Sequence, residues 1–279
     1  MLSRLLSLDT PTVIAHRGGS KLRPENTIPA FEHAVSLGVD AIECDVHLSK
    51  DGEVVVIHDD RLDRTTDRAG AVAAMTAVEL ARVDAGAKFQ AADGQWTFRG
   101  LGIGVPLLSD VLSRCPHIPV IVEIKGDQPA IVGRVLRVIR DAGAESRVIV
   151  GGFSRRVLAV VREESPRIST SASLAEVQSA IRRSWCWLPP RRTGFQLFQI
   201  PLRFRGRQVL RRHIVRAARR GGFPVQAWIV DDPADMHMIL DWGVTGIITD
   251  RPDIALEEVT RHSAHLTRRV VYLPKRPPR

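Results

Sequence analysis

The chain has 279 residues, of which 44% are apolar and 25% charged, with 21 glycines and 17 prolines. That composition excludes a disordered or collagen-like chain and is rich enough in apolar residues to bury a sizeable core. Lys and Arg number 40 against 31 Asp and Glu, a net charge of +9, and Arg supplies 35 of the 40. A basic surface attracts phosphate esters, anionic lipid or nucleic acid, but composition does not choose among them and arginine can also reflect genomic bias.

No apolar run reaches the ~20 residues that cross a bilayer. Residues Met1 to Asp9 form neither the apolar core nor the cleavage site of a signal peptide. Cys44, Cys115 and Cys186 are odd in number and widely spaced, which argues against a disulfide scaffold or a structural zinc. A cytoplasmic protein with reduced thiols is expected.

Apolar strands alternate with amphipathic helices along the chain. Strand-like runs are Thr12–Ala15, Val39–Val46, Val54–Ile57, Val120–Ile124, Val148–Val150, Arg167–Ser171, Gln196–Ile200, Val225–Val230 and Thr245–Thr249. Helix-like stretches are Ile28–Leu37, Gln128–Asp141, Arg155–Glu164, Leu174–Arg183, Gln208–Arg220, Pro233–Trp242 and Asp253–Arg261. This alternation predicts βαβ units and a parallel sheet. The link His47–Glu53, with Lys50-Asp51-Gly52 as its turn, is too short for a parallel crossover, so Val54–Ile57 is read as a hairpin partner. Removing it leaves eight strands, the number of a closed (β/α)8 barrel. The turn puts His58 opposite Glu43 to within one register step.

The expected organisation is one catalytic barrel domain over residues 1–279. An insertion over 59–119 lies at the substrate face, with one helix at Ala77–Val83, a Gly/aromatic stretch at Gly86–Gly104 and a helix from Leu108. Loops of this length are often functional. From Val259 the chain drifts into a basic tail, residues 263–279.

Glu43 and Asp45 stand two apart in an apolar strand, so both carboxylates share one face. Buried like charges are costly unless a cation joins them, and hard oxygen ligands favour Mg²⁺ or Ca²⁺. The plainer reading is a solvated edge strand. Glu123 and Lys125 repeat the spacing. Glu123 suits a third metal ligand, while Lys125 suits either a phosphate or an ion pair with Glu123. His16-Arg17-Gly18-Gly19 ends the first strand, where barrel enzymes place catalytic residues. His16 suits acid–base work, Arg17 a phosphate, and Gly18 and Gly19 a close approach of backbone to ligand. His58 supplies a second histidine. Taken singly, each also has a structural reading. Together at one barrel mouth they suit metal-assisted phosphodiester cleavage.

The chain closely resembles the glycerophosphodiester phosphodiesterase family. The resemblance rests on His16-Arg17-Gly18, Pro24-Glu25-Asn26-Thr27 leading to Ala30-Phe31, Glu43-Cys44-Asp45-Val46, Lys50-Asp51-Gly52, Val55 to Asp59, Glu123-Ile124-Lys125 and Gly246 to Pro252. It implies a (β/α)8 barrel, one divalent cation held by Glu43, Asp45 and Glu123, and a catalytic pair of His16 and His58. It further implies phosphate contacts from Arg17 and Lys125, and a place for Trp228 near the glycerol of a small phosphodiester substrate. Pro24 to Thr27 would order the first loop and cap the first helix, with Glu25 and Asn26 near the site. The expected reaction yields sn-glycerol 3-phosphate and an alcohol, by a cyclic phosphate or by direct water attack.

Two features depart from the family pattern. His47 stands where an uncharged residue is common and is expected to face the hairpin turn and solvent. The stretch Arg182–Arg220 holds 12 arginines around Trp185-Cys186-Trp187-Leu188. Arg with Trp suits weak membrane contact, whereas the plain reading has Trp185 or Trp187 covering the barrel. Two rival readings follow: a lysophospholipase D-type enzyme on membrane lysophospholipids, or a non-catalytic basic binding scaffold. No specific nucleic-acid partner is expected, and oligomeric state is not legible.

Overall fold

The structure, a computed structural model, describes residues 2–271, with side chains through residue 265. Its strands are β1 (Thr12–Ala15), β2 (Ala41–Leu48), β3 (Val54–Val56), β4 (Val120–Ile124), β5 (Val148–Gly151), β6 (Ser169–Thr170), β7 (Phe198–Pro201), β8 (Arg203–Phe204), β9 (Arg207–Gln208), β10 (Val225–Trp228) and β11 (Gly246–Thr249). Parallel strands run in the order β6-β5-β4-β2-β1-β11-β10-β7. The two ends meet through a parallel bridge between Ser171 and Leu197. The sheet therefore curls into the expected (β/α)8 barrel. Strand β3 pairs antiparallel with β2, Val46 opposite Val56. Continuing that register sets His58 opposite Cys44, one step from Glu43.

Strand parity sorts the side chains into two layers. Val13, Ile42, Cys44, Val122 and Val150 face outward into the layer shared with the helices. Ile14, Ala41, Ile121, Ile149 and Ile248 face inward and fill the lower barrel together with Leu5. Leu5 belongs to a short helix, Leu2–Leu5, absent from the sequence reading because four residues carry no periodic signal. Above this apolar plug the inward positions of β2 and β4 become Glu43, Asp45 and Glu123.

Local chemistry sets the helix ends. Thr27 caps Ile28–Leu37 by accepting from the Ala30 N–H, and Gly38 ends that helix in the left-handed region at φ 83°. Ser173 and Glu176 form a capping box on Leu174–Trp185. The last helix runs Pro252–Val271, beyond the point where the sequence suggested a tail. Residues 272–279 of that tail lie outside the described residues. The insertion packs a cluster of its own, with Val55, Leu62, Leu80 and Val105 at its centre. Its helices are Ala77–Leu80 and Leu108–Arg114.

Gly18 and Gly19 are required by the fold itself. A Cβ on Gly18 would stand 2.7 Å from Ala30 Cβ, and one on Gly19 3.0 Å from Pro252 Cγ. Both have positive φ, 84° and 89°. The turn after β1 thus lets the first and last helices close on the barrel mouth. Gly18→Ala is expected to destabilise by about 3 kcal/mol, through overpacking and left-handed strain together. A urea midpoint unchanged from the parent would refute this account.

Candidate active site

Seven of the eight residues singled out from the sequence line one cavity of about 540 Å³ at the C-terminal mouth of the barrel: His16, Arg17, Glu43, His58, Glu123, Lys125 and Trp228. The eighth, Asp45, lies immediately behind and is 1% exposed. Ligand oxygens of Glu43, Asp45 and Glu123 all lie within 4.8 Å of one another.

These acids are held by cations and an amide. Lys125 Nζ stands 2.6 Å from Glu123 Oε1 and 2.8 Å from Asp45 Oδ1. Arg17 Nε faces Asp45 Oδ2 at 3.0 Å, and the Arg17 backbone N–H donates to Glu43 Oε2 at 3.0 Å. Asn26, at φ 57°, donates its side-chain amide to Asp45 Oδ2 at 2.8 Å. Burial pushes the Glu43 carboxyl well up, and the Asp45 charge adds to it. Burial acts the same way on Asp45, but Lys125, Arg17 and His58 outweigh it and hold that carboxyl below its usual range.

A divalent cation fits this donor set. Asp45 Oδ1 is buried and, though close to Lys125, makes no hydrogen bond of proper geometry. Three clustered carboxylates with one such oxygen form a hard, anionic set of the kind that takes Mg²⁺ or Ca²⁺. Lys125 is ion-paired with Glu123, as one of its two sequence readings has it, and its side chain also lines the cavity.

The two histidines are held alike. His16 Nδ1 meets Asp250 Oδ1 at 2.6 Å, and His58 Nδ1 meets Asp59 Oδ1 at 2.5 Å. Each arrangement leaves Nε2 for the cavity. Burial opposes a charge on His16, yet Asp250 and Glu43 overcome it and the imidazole is pushed up. Burial, with Arg17 and Lys125, pushes His58 down against the pull of Asp45. Environments that move two titrating groups in opposite directions suit one acid and one base.

Several partners had no role in the sequence reading. Asp250 stands just past β11, where barrel enzymes carry functional groups, so its position was a signal. Arg64 had none, because it lies in the insertion. Its guanidinium donates to both Glu25 oxygens at 2.7 Å and to Asp59 Oδ2 at 2.6 Å. Glu25 in turn accepts from Arg17 at 2.8 Å. One ion chain therefore joins Arg17, Glu25, Arg64, Asp59 and His58.

The expectations for His47 and for Trp185 and Trp187 are corrected. His47 does not face solvent at the turn: it is half-buried, with Nε2 3.0 Å from the His58 carbonyl. Among the described residues, none of 60–119 lines the catalytic cavity. The insertion reaches the site through Arg64 and lines a separate cavity with Glu25 and Lys88. Trp185 and Trp187 are 74% and 63% exposed, so neither covers the barrel. Trp187 lies instead beside Arg220, at the far end from the mouth.

A parallel barrel with acids and carboxylate-held histidines at its C-terminal mouth defines a class, the (β/α)8 barrels built for polar catalysis. Comparison with protein families narrows it. Residues 16–254 match the Glycerophosphoryl diester phosphodiesterase family, and the chain belongs to that family. It is 35% identical over 259 residues to a glycerophosphodiester phosphodiesterase of Caldanaerobacter subterraneus subsp. tengcongensis, covering 89% of this chain and 98% of that one. The Bacillus subtilis glycerophosphodiester phosphodiesterase is 32% identical over 264 residues, covering 90% of this chain and 87% of that one. Among solved structures, the Agrobacterium tumefaciens glycerophosphodiester phosphodiesterase aligns with a TM-score of 0.70 at 28% identity, over 88% of this chain and 99% of that one. Among the described residues no helix is long and apolar enough to cross a membrane.

The ion chain makes a pH-dependent prediction. Burial opposes the Asp59 charge, but Arg64 and His58 hold its carboxyl down to about 2. A depressed carboxyl stabilises above its unfolded value of 3.8, and that stability is lost as pH falls through the folded value. Arg64→Met is expected to cost about 1 kcal/mol near neutral pH, discounted because Arg64 is half exposed. The gap to the parent should close between about pH 4 and pH 2. Urea midpoints across that range check it, and a gap that persists at the acid end contradicts it.

Proposed function

We propose that this chain hydrolyses glycerophosphodiesters to sn-glycerol 3-phosphate and an alcohol. The observation that carries the reading is the placement of two histidines, each with Nδ1 on a carboxylate, around one cavity that also holds the three-acid cluster. Family membership supports it. Glu43, Asp45 and Glu123 would hold Mg²⁺ or Ca²⁺. When bound, that ion supplies positive charge to the phosphoryl oxygens and counter-charge to the acids.

Arg17 and Lys125 border the cluster from the cavity side and bind the remaining phosphate charge. One histidine takes the proton of the attacking hydroxyl, from the substrate's own glycerol or from water. The other protonates the departing alcohol oxygen. Asp250 and Asp59 fix the ring of each and keep Nε2 as the working nitrogen. Trp228 lines the cavity with its ring edge-to-face on Phe153, centroids 6.0 Å apart. That apolar face suits the carbon side of a glycerol. Three unpaired cysteines suit a reducing, cytoplasmic setting.

Glycerol 3-phosphate release from glycerophosphocholine and glycerophosphoethanolamine, with Mg²⁺, Ca²⁺ or excess EDTA, tests the reading. Metal-dependent release is expected. His16→Ala and His58→Ala are each expected to lose about 10²–10⁴-fold in kcat while circular dichroism stays that of the parent. Near-parent turnover by either variant would remove that histidine from the mechanism. No release from either diester with metal present would overturn the activity.

A further inference from the structure

Two packed helices away from the catalytic cavity gather a second set of metal-binding side chains. Helix Pro233–Trp242 carries His237 and Asp241 four residues apart, and helix Pro252–Val271 carries His262 and His265 three apart. Each spacing puts its pair on one face of its helix. His237 Nε2 stands 3.7 Å from Asp241 Oδ2, and His262 Nδ1 stands 3.8 Å from Asp241 Oδ1. The rings of His237 and His262 lie edge-to-face with centroids 6.4 Å apart. His265 is near enough to act electrostatically on His262. Three of the chain's nine histidines thus gather around one carboxylate. The two distances to Asp241 are too long for hydrogen bonds, which close to about 3.2 Å or less. They are near the separation of two ligands on one ion, since metal–ligand bonds of about 2.0–2.1 Å at a tetrahedral angle put donor atoms ~3.4 Å apart. Asp241 also lacks the partner that its charge would ordinarily find: Arg supplies 35 residues of the chain, yet among the described residues no Arg or Lys pairs with it. His262 is 8% exposed, and among the described residues its ring makes no hydrogen bond. A buried imidazole that faces a carboxylate from beyond hydrogen-bond reach leaves room for an ion between them.

We infer that His237, Asp241 and His262 form a site for a borderline transition-metal ion, Zn²⁺ by the chemistry of the donors, with His265 as a fourth ligand. Imidazole nitrogens with one carboxylate suit zinc, whereas the all-oxygen catalytic cluster suits Mg²⁺ or Ca²⁺. The site needs no cysteine, so the wide cysteine spacing does not bear on it. It is also remote from the first cluster: His262 lies ten residues, roughly 15 Å, along its helix from Pro252 at the barrel mouth. Two edges of the ligand triangle, both to Asp241, are already near bonding separation. The third, between the two histidines, is the open one, and rotation of the His237 side chain, 60% exposed, closes it. An ion held by both helices would tie the last helix to its neighbour. It would thereby brace the packing that keeps Pro252 against Gly19.

The test uses the full chain without an affinity tag, in excess Mg²⁺ to fill the catalytic acids. Zn²⁺ binding is followed by competition with a chromogenic chelator. One Zn²⁺ per chain is expected, and binding should raise the thermal midpoint. Loss of even an outer partner costs a bound metal roughly 10- to 100-fold in affinity, so His237→Ala and Asp241→Asn should each weaken Zn²⁺ at least about tenfold. Both residues are exposed, so neither substitution disturbs the core. Glu123→Gln, in the catalytic cluster, should leave this affinity unchanged. A parent chain that takes no Zn²⁺ overturns the site. So does an affinity unchanged in either helix variant, or one that falls only in Glu123→Gln, which assigns the ion to the catalytic acids. No part of the test reads hydrolysis, so its outcome is separate from that of the phosphodiesterase reading.

Discussion

Two carboxylates of like charge, Glu43 and Asp45, lie buried on one face of one strand, and much of the upper barrel is arranged around that repulsion. Such a pair is costly in a low-dielectric interior unless positive charge is close. The fold brings that charge from two neighbouring strand ends: Arg17 follows β1 and Lys125 follows β4. The supply is incomplete. Asp45 Oδ1 keeps a lone pair without a proper hydrogen bond, and Glu43 is pushed up by its burial and by its neighbour. An ordinary core would resolve such a conflict with a well-placed donor. Here Glu43 lines a cavity with Asp45 immediately behind it, which is the arrangement the proposed cation site requires.

The same electrostatics explains why the histidines need carboxylate partners of their own. Burial first, and then the positive charges of Arg17 and Lys125, disfavour protonated imidazole at His58 and outweigh the pull of Asp45. Asp250 counters this at His16. Asp59 pulls the same way at His58 and is itself stabilised by Arg64, an insertion residue. Although the insertion stays out of the cavity wall, it is electrostatically part of the site. A chain of alternating charge from Arg17 to His58 ties a peripheral cluster of apolar side chains to the catalytic end of the barrel.

What could be read from the chain follows from which interactions leave a periodic or paired trace. Period-two alternation put Glu43 with Asp45 and Glu123 with Lys125 on inward faces, and parity in the barrel obeys it strictly. The short His47–Glu53 link exposed the hairpin because too few residues are present for any other connection. Residues whose roles depend on distant chain left no such mark. Arg64 meets Glu25 across 39 positions. Gly18 is explained by Ala30, and Gly19 by Pro252, neither of which is a ligand. The β8–β9 hairpin leaves no sequence signal because its strands are two residues each, too short for a period-two pattern, between the strand ending at Ile200 and the helix expected from Gln208.

The direction of a barrel helix separates residues that composition groups together. A helix following a strand runs from the catalytic mouth back to the opposite end. Leu174, at the start of its helix, therefore borders the active site, whereas Trp185, at the end of the same helix, is carried roughly 16 Å along the axis. Read as one basic, tryptophan-rich segment, residues 182–220 suggest a single surface. Topology divides them between two ends of the molecule, and only the Phe204 hairpin remains beside the chemistry.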